Sequence, residues 1–137
     1  MLFYPFFRAE LALALGAMGQ LEESLGEIDE TLRFALETDY RWYVPEILRM
    51  KGELLAQRGS NDPNLIEDLF RRAIKNAAEH QAHFWELTSA TSLAKHLQRQ
   101  RRKAEALALL SSKYQLLSEG FALAKLSQAK ALLDSLR

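Results

Sequence analysis

The sequence predicts an all-α protein built as a stack, an α-solenoid of three helical hairpins closed by one more helix. Three observations carry this expectation. Aromatic doublets recur at Phe3-Tyr4, Trp42-Tyr43 and Phe84-Trp85, at intervals of 39 and 42 residues. A small residue follows each doublet at Ala12, Gly52 and Ala94, at intervals of 40 and 42. A second marker stands at Ser24, Ile66 and Ala106, at intervals of 42 and 40. A fixed period of ~20–50 residues is the signature of stacked units, none of which can bury its apolar face alone. Composition agrees with helix. Only six Gly and three Pro occur in 137 residues, and the abundant Ala, Leu, Glu, Lys and Arg lose little rotamer freedom in a helix.

The elements follow in order. The first helix is expected over Pro5–Met18, with Pro5 in the first turn, where a missing N–H costs nothing. Gly19-Gln20 ends it. The second spans Leu21–Thr38, with Leu21, Leu25, Ile28, Leu32, Ala35 and Leu36 on one face. Glu22 and Glu23 complement the dipole at its start. The third spans Val44–Arg58 and turns Ile47, Leu48, Leu54 and Leu55 inward before Gly59. After Ser60-Asn61, Asp62 is a good N-cap and Pro63 a good first residue of the fourth helix. That helix has the cleanest stripe in the chain: Leu65, Ile66, Leu69, Phe70, Ala73, Ile74, Ala77 and Ala78, with Arg71, Arg72, Lys75 and Asn76 off it. The fifth is expected over His83–Gln100. The sixth spans Lys103–Leu117 and carries Ala104, Leu107, Ala108, Leu110 and Leu117. A break at Ser118-Glu119-Gly120 precedes a last helix over Leu123–Leu136. The units are therefore about 3–41, 42–82 and 83–120, with a capping helix over 121–137, all within one domain.

Composition excludes several classes. The chain has no Cys, hence no disulfide, thiolate nucleophile or Cys-based metal cage. No apolar run approaches the ~20 residues that span a bilayer. The start lacks an early Lys or Arg, and Arg8 and Glu10 interrupt its apolar stretch, so it makes a poor signal peptide. A cytoplasmic protein that does not enter membranes is expected. Net charge is zero but polarised: residues 1–70 hold 6 Lys/Arg and 13 Asp/Glu, residues 71–137 hold 12 and 5. In a stack laid out in sequence order, one end is acidic and the other basic, which can steer partners.

Within each unit the spacing resembles a tetratricopeptide repeat, in which small and bulky residues alternate along two antiparallel helices. The matching positions are Gly52, Leu55, Gly59, Ile66, Phe70 and Ala73 in the second unit. In the first they are Ala12, Leu15, Gly19, Ser24, Ile28 and Thr31, and in the third Ala94, Leu97, Arg101, Ala106, Leu110 and Lys113. The units are longer than the usual 34 residues by roughly a turn per helix. Arg101 stands where a Gly closes the first helix, and Lys113 where an Ala is usual, which predicts incomplete cover for the second helix of that unit. Longer units of this kind are similar to the C-terminal helical repeats of large bacterial signalling ATPases, including nucleotide cyclases and transcription regulators. The stretches Met50-Lys51-Gly52-Glu53-Leu54-Leu55, Phe70-Arg71-Arg72-Ala73, Trp85-Glu86-Leu87, Ala104-Glu105-Ala106, Ser118-Glu119-Gly120-Phe121 and Gln128–Asp134 carry that resemblance. It implies a right-handed curved stack and a non-catalytic protein-interaction or scaffold module, the regulatory part of a larger bacterial signalling protein. It also implies a groove lined by the first helix of each unit. Glu46, Arg49, Glu53 and Gln57 would contact a protein or peptide partner from the second unit, and Thr88, Thr91, Lys95 and Arg99 from the third. The first unit would supply Phe6, Ala9, Leu13 and Ala17, an apolar end.

The remaining clusters favour structural roles. No phosphate-binding glycine loop is present, and no cofactor is expected. His80 and His83 share a turn with Glu79 and Glu86, but His96 lies too far along to complete a tetrahedral metal set. Glu22, Glu23, Glu27, Asp29 and Glu30 sit on the outer side of an amphipathic helix, where hydration keeps carboxylates ordinary. The basic run Gln98–Lys103 lacks an interleaved aromatic for base stacking, and cations there complement a helix C-terminus; nucleic acid is the weakest of the partner readings. The recurrence of the aromatic doublets points to packing. Phe3, Tyr4, Phe6 and Phe7 have no preceding unit to cover them, which predicts that the chain continues N-terminally in a parent protein or is met there by another molecule. The second functional reading is accordingly a homodimer driven by the apolar first helix and the opposed end charges.

Overall fold

The computed structural model describes residues 4–59, 61–117 and 123–137. Among them lie seven α-helices: α1 (Tyr4–Ala17), α2 (Leu21–Glu37), α3 (Val44–Arg58), α4 (Pro63–Glu79), α5 (His83–Arg99), α6 (Lys103–Leu117) and α7 (Leu123–Leu136). No strand occurs among the described residues. A one-turn 3₁₀ helix, Arg41–Tyr43, precedes α3. The helix ends agree with the sequence expectation to within one residue. Phe3, Ser60, the break at Ser118-Glu119-Gly120 and Phe121 lie outside the described residues.

The connections are short because local chemistry closes each helix. Gly19 and Gly59 take the left-handed conformation, at φ +82° and +78°, which glycine adopts without a Cβ penalty. The Gly59 N–H returns to the Ala56 carbonyl at 3.1 Å. Asp62 caps α4 by accepting from the Leu65 N–H at 3.0 Å, and Pro63 follows as the first helical residue. Arg101, seven residues after Ala94 as Gly59 is after Gly52, takes the same left-handed turn at φ +61°. The register therefore demands the conformation even where the residue does not favour it. Arg101→Gly is expected to raise stability by about 0.5–1 kcal/mol, the left-handed penalty less the extra freedom of an unfolded glycine. Urea denaturation of the two proteins measures it, and an unchanged or lowered midpoint would refute it.

Each helix packs on the next in sequence, and α1 also meets α3, α3 meets α5 and α5 meets α7. The even-numbered helices make no contact of that extent among the described residues. Residues at matching places in the three units form the core. Ala12, Gly52 and Ala94 are buried, as are Ser24, Ile66 and Ala106, then Ile28, Phe70 and Leu110. A Cβ on Gly52 would lie 2.6 Å from Phe70 Cε1, and one on Gly16 would lie 2.6 Å from Leu54 Cδ2. Close backbone approach is thus the reason for small residues at these positions. Ser24 fits the buried site because its hydroxyl donates to the Ala12 carbonyl, and Thr31 because its own donates to the Glu27 carbonyl at 2.7 Å.

Several face assignments need correction. Leu36 and Leu65 are 40% and 41% exposed, and Ala78 also faces solvent. Lys113, at the position that Thr31 and Ala73 bury completely, stays partly buried and reaches Glu86 Oε2 of α5 at 2.7 Å. An ion pair occupies the place of a small-residue contact, and α6 is held to α5 by it. On the other side of the α4–α5 pair, the buried His96 donates its Nε2 hydrogen to the Pro63 carbonyl at 3.0 Å and meets the Phe70 ring edge-on. Burial pushes the imidazole pKa down, so the neutral ring is the form that packs.

Candidate partner-binding groove

The positions that the register selects for partner contact in the second and third units line three hollows along α3 and α5. The middle hollow, of about 160 Å³, is lined by Arg49 and Glu53 of α3, Thr88, Thr91, Ser92 and Lys95 of α5, and Gln128 of α7. A second, of about 320 Å³, shares Glu53 and adds Ala56, Gln57 and Arg99. The third, of about 570 Å³, is lined by Glu46 together with Phe6, Phe7, Glu10, Trp42, Tyr43 and Trp85. A spacing of three to four residues along two neighbouring helices places these side chains in facing rows.

Arg49 is the best-anchored group of the set. Its Nε donates to Glu46 Oε2 at 2.9 Å and its Nη2 to Glu46 Oε1 at 2.6 Å, a bidentate fork. Its Nη1 approaches Ser92 Oγ at 3.5 Å. Burial works against the guanidinium charge, and the Glu46 carboxylate, with Glu53 nearby, more than restores it, holding the pKa above the usual arginine value. Thr88 and Thr91 donate to the Phe84 and Leu87 carbonyls of their own helix, both at 2.9 Å. Their oxygens are thus oriented as acceptors.

Of the first-unit positions, Leu13 and Ala17 line none of these hollows, and two further expected positions behave otherwise. Ala9 is fully buried, because α1 leans on α2 at that point and gives the residue to the core. Gln57 lines a hollow, but its Nε2 also donates to the Gly16 carbonyl at 3.0 Å, where it satisfies the end of α1. Leu87, Ser92 and Gln128 were not legible as lining residues. Gln128 comes from the closing helix, whose contact with α5 no repeat spacing specifies.

The aromatic doublets divide. Tyr43 is buried, as packing requires, but Trp42 is 37% exposed. Trp42 and Trp85, 43 positions apart in the chain, stack at 5.9 Å and 23°. Tyr43 meets Trp85 edge-on at 5.4 Å and Phe6 at 5.6 Å. Burial raises the Tyr43 hydroxyl pKa, and the Glu46 and Glu10 carboxylates raise it further. Repetition thus assembles an open aromatic wall as well as a core.

The other clusters hold the fold together. Glu27 pairs with Arg8 at 2.6 Å, Glu22 with Arg58 at 3.0 Å and Asp29 with Lys51 at 2.8 Å. Such pairs near the surface contribute about 0–1 kcal/mol each, and they separate the acidic residues of α2 instead of converging them. Within the basic run, Arg102 bridges Glu67 of α4 and Glu105 of α6, both at 2.6 Å, and holds both carboxyl groups below the usual range. His80 donates to the Asn76 carbonyl at 2.9 Å, His83 approaches Glu86 at 3.4 Å, and His96 is turned away to Pro63. No described helix is long and apolar enough to cross a membrane.

No protein-family model matches the chain, and no curated protein matches it. Its functional reading rests on its own residues.

Proposed function

We propose that this chain is a protein-interaction module, a right-handed α-solenoid of three long tetratricopeptide-like hairpins closed by α7, that docks a partner segment in the α3–α5 groove. The observation that carries the reading is that the eight residues selected in the second and third units, from Glu46 to Arg99, line three hollows on α3 and α5, while of the first-unit positions Phe6 alone lines one of them. The successive contacts of α1, α3, α5 and α7 support the stack, since neighbouring first helices approach along the inner side of a curved array. The groove runs from an aromatic, acidic end to a polar, cationic one. An extended peptide would meet it by shape, hydrogen bonds and charge. The motif resemblance supports a place for it as the regulatory C-terminal part of a bacterial signalling protein.

Peptide display against the whole chain tests the reading. Sequences should be enriched whose binding is weakened at least about tenfold, roughly 1.4 kcal/mol, by Arg49→Glu or Lys95→Glu. Arg72→Glu, on the opposite side with Leu36 and Lys75, should leave affinity unchanged. Equal losses at all three sites, or none, would dispose of the groove. The exposed Phe7, Leu11 and Met18 of α1 favour a second reading, self-association through that face. A monomer by sedimentation at high micromolar concentration would remove it.

A further inference from the structure

The aromatic end of the groove has a composition that narrows what it can hold. Among the described residues, five rings, Phe6, Phe7, Trp42, Tyr43 and Trp85, share the lining with two carboxylates, Glu10 and Glu46, and no described Lys or Arg lines it. Glu46 is neutralised by the Arg49 fork. Glu10 stands exposed at the rim. A neutral apolar occupant would leave the Glu10 carboxylate unpaired at the edge of the contact. An anionic one would be repelled by it and by the negative faces of the rings. A cation meets both demands: it lies on ring faces and neutralises the acid.

Among cations, the surface favours guanidinium. A lysine ammonium is compact and strongly hydrated, and the hollow supplies few oxygens to replace its water. A guanidinium is planar and weakly hydrated, stacks on indole and forks onto a carboxylate. The partly exposed rings of Trp42 and Phe6 provide the platform. The surrounding half of the chain, with 13 acidic and 6 basic residues, adds a field of the right sign. We propose that this hollow receives an arginine side chain of the docked segment, laid on the Trp42–Phe6 wall and paired with Glu10. The inference rests on the docking reading above and names the chemistry of one anchor in it.

The chain carries its own reporter, because its two tryptophans are Trp42 and Trp85 and both line the site. The experiment titrates the full chain with a dye-labelled, blocked hexapeptide holding one arginine between two leucines, and with the same peptide carrying neutral, isosteric citrulline. Tryptophan emission and dye anisotropy are followed together. The arginine peptide should shift the emission saturably and bind at least about tenfold more tightly than the citrulline peptide. Glu10→Gln, which alters an exposed side chain and should leave thermal unfolding unchanged, should reduce that preference to about twofold or less. Equal affinity of the two peptides would overturn the arginine anchor while leaving the groove standing. So would anisotropy that reports binding, abolished by Arg49→Glu, with emission unmoved. Emission that changes with protein concentration alone would assign the hollow to a second copy and overturn the anchor too. Binding of neither peptide by either readout would count against both readings.

Discussion

Replacing Phe70 by alanine is expected to cost about 3–5 kcal/mol, the largest effect of any single substitution in this chain. The ring is completely buried and lies directly over the backbone of Gly52, so it joins α4 to α3 and, through His96, to α5. The reciprocal substitution tests the same contact from the other side. An alanine Cβ at position 52 would stand 2.6 Å from Phe70 Cε1 and 2.9 Å from Cζ. The ring is completely buried, so it cannot swing away without displacing its neighbours in the core. Gly52→Ala gains about 1 kcal/mol of helix propensity, and overpacking opposes it with about 1–3 kcal/mol; Gly52→Leu should be worse. The two sites must couple, because each removes the reason for the other. In the background Phe70→Leu, Gly52→Ala should become neutral or stabilising. Urea denaturation of the four proteins supplies the cycle, and strict additivity would show that the close approach has no energetic content.

Loss of the Lys113 ammonium should come next in size. Glu86 is 6% exposed and its carboxylate is met by Lys113 at 2.7 Å, with the exposed His83 at 3.4 Å. Lys113→Ala installs the residue that the repeat pattern prefers, yet it is expected to destabilise by about 2–4 kcal/mol, because it leaves a carboxylate desolvated without its cation. The partial exposure of Lys113 keeps the cost toward the lower end. Adding Glu86→Leu should recover most of the loss, since replacing both members of a buried pair by apolar groups is close to neutral. A single Lys113→Ala that unfolded at the same urea concentration as the parent would show that water, not Lys113, solvates Glu86.

These two sites mark how far the sequence was legible. At Gly52, Phe70, Ala94 and Ala106 it was read correctly, because each position combines a period, a helical face and a demand for size that only one packing satisfies. Arg101 was legible in a weaker sense. Its place in the register identified the turn, while its identity argued against it. At Lys113 the pattern predicts incomplete cover, and the residue is only partly buried; what no repeat rule supplies is its partner Glu86, 27 residues away. Register alone brings Glu46, Arg49, Glu53, Gln57, Thr88, Thr91, Lys95 and Arg99 to hollows on α3 and α5, and Ala9 shows the limit: spacing places it among surface positions, but the packing of α1 on α2 buries it. Of the aromatic hollow, the sequence indicates the uncovered Phe6 and Phe7 but not Trp42 and Trp85, because the recurrence of the doublets points to packing. Only distances between helices show that Tyr43 enters the core while Trp42 stays open to solvent.

The sequence by itself determined the helices, their ends and the order in which they pack, because periodicity, caps and left-handed turns act over a few residues at a time. Only tertiary structure decided which polar groups are neutralised and which side chains surround empty space. Those outcomes depend on the approach of α5 to α3 and of α7 to α5, and a difference of an ångström between two helices separates a filled core from an open hollow without leaving a mark in either helix alone.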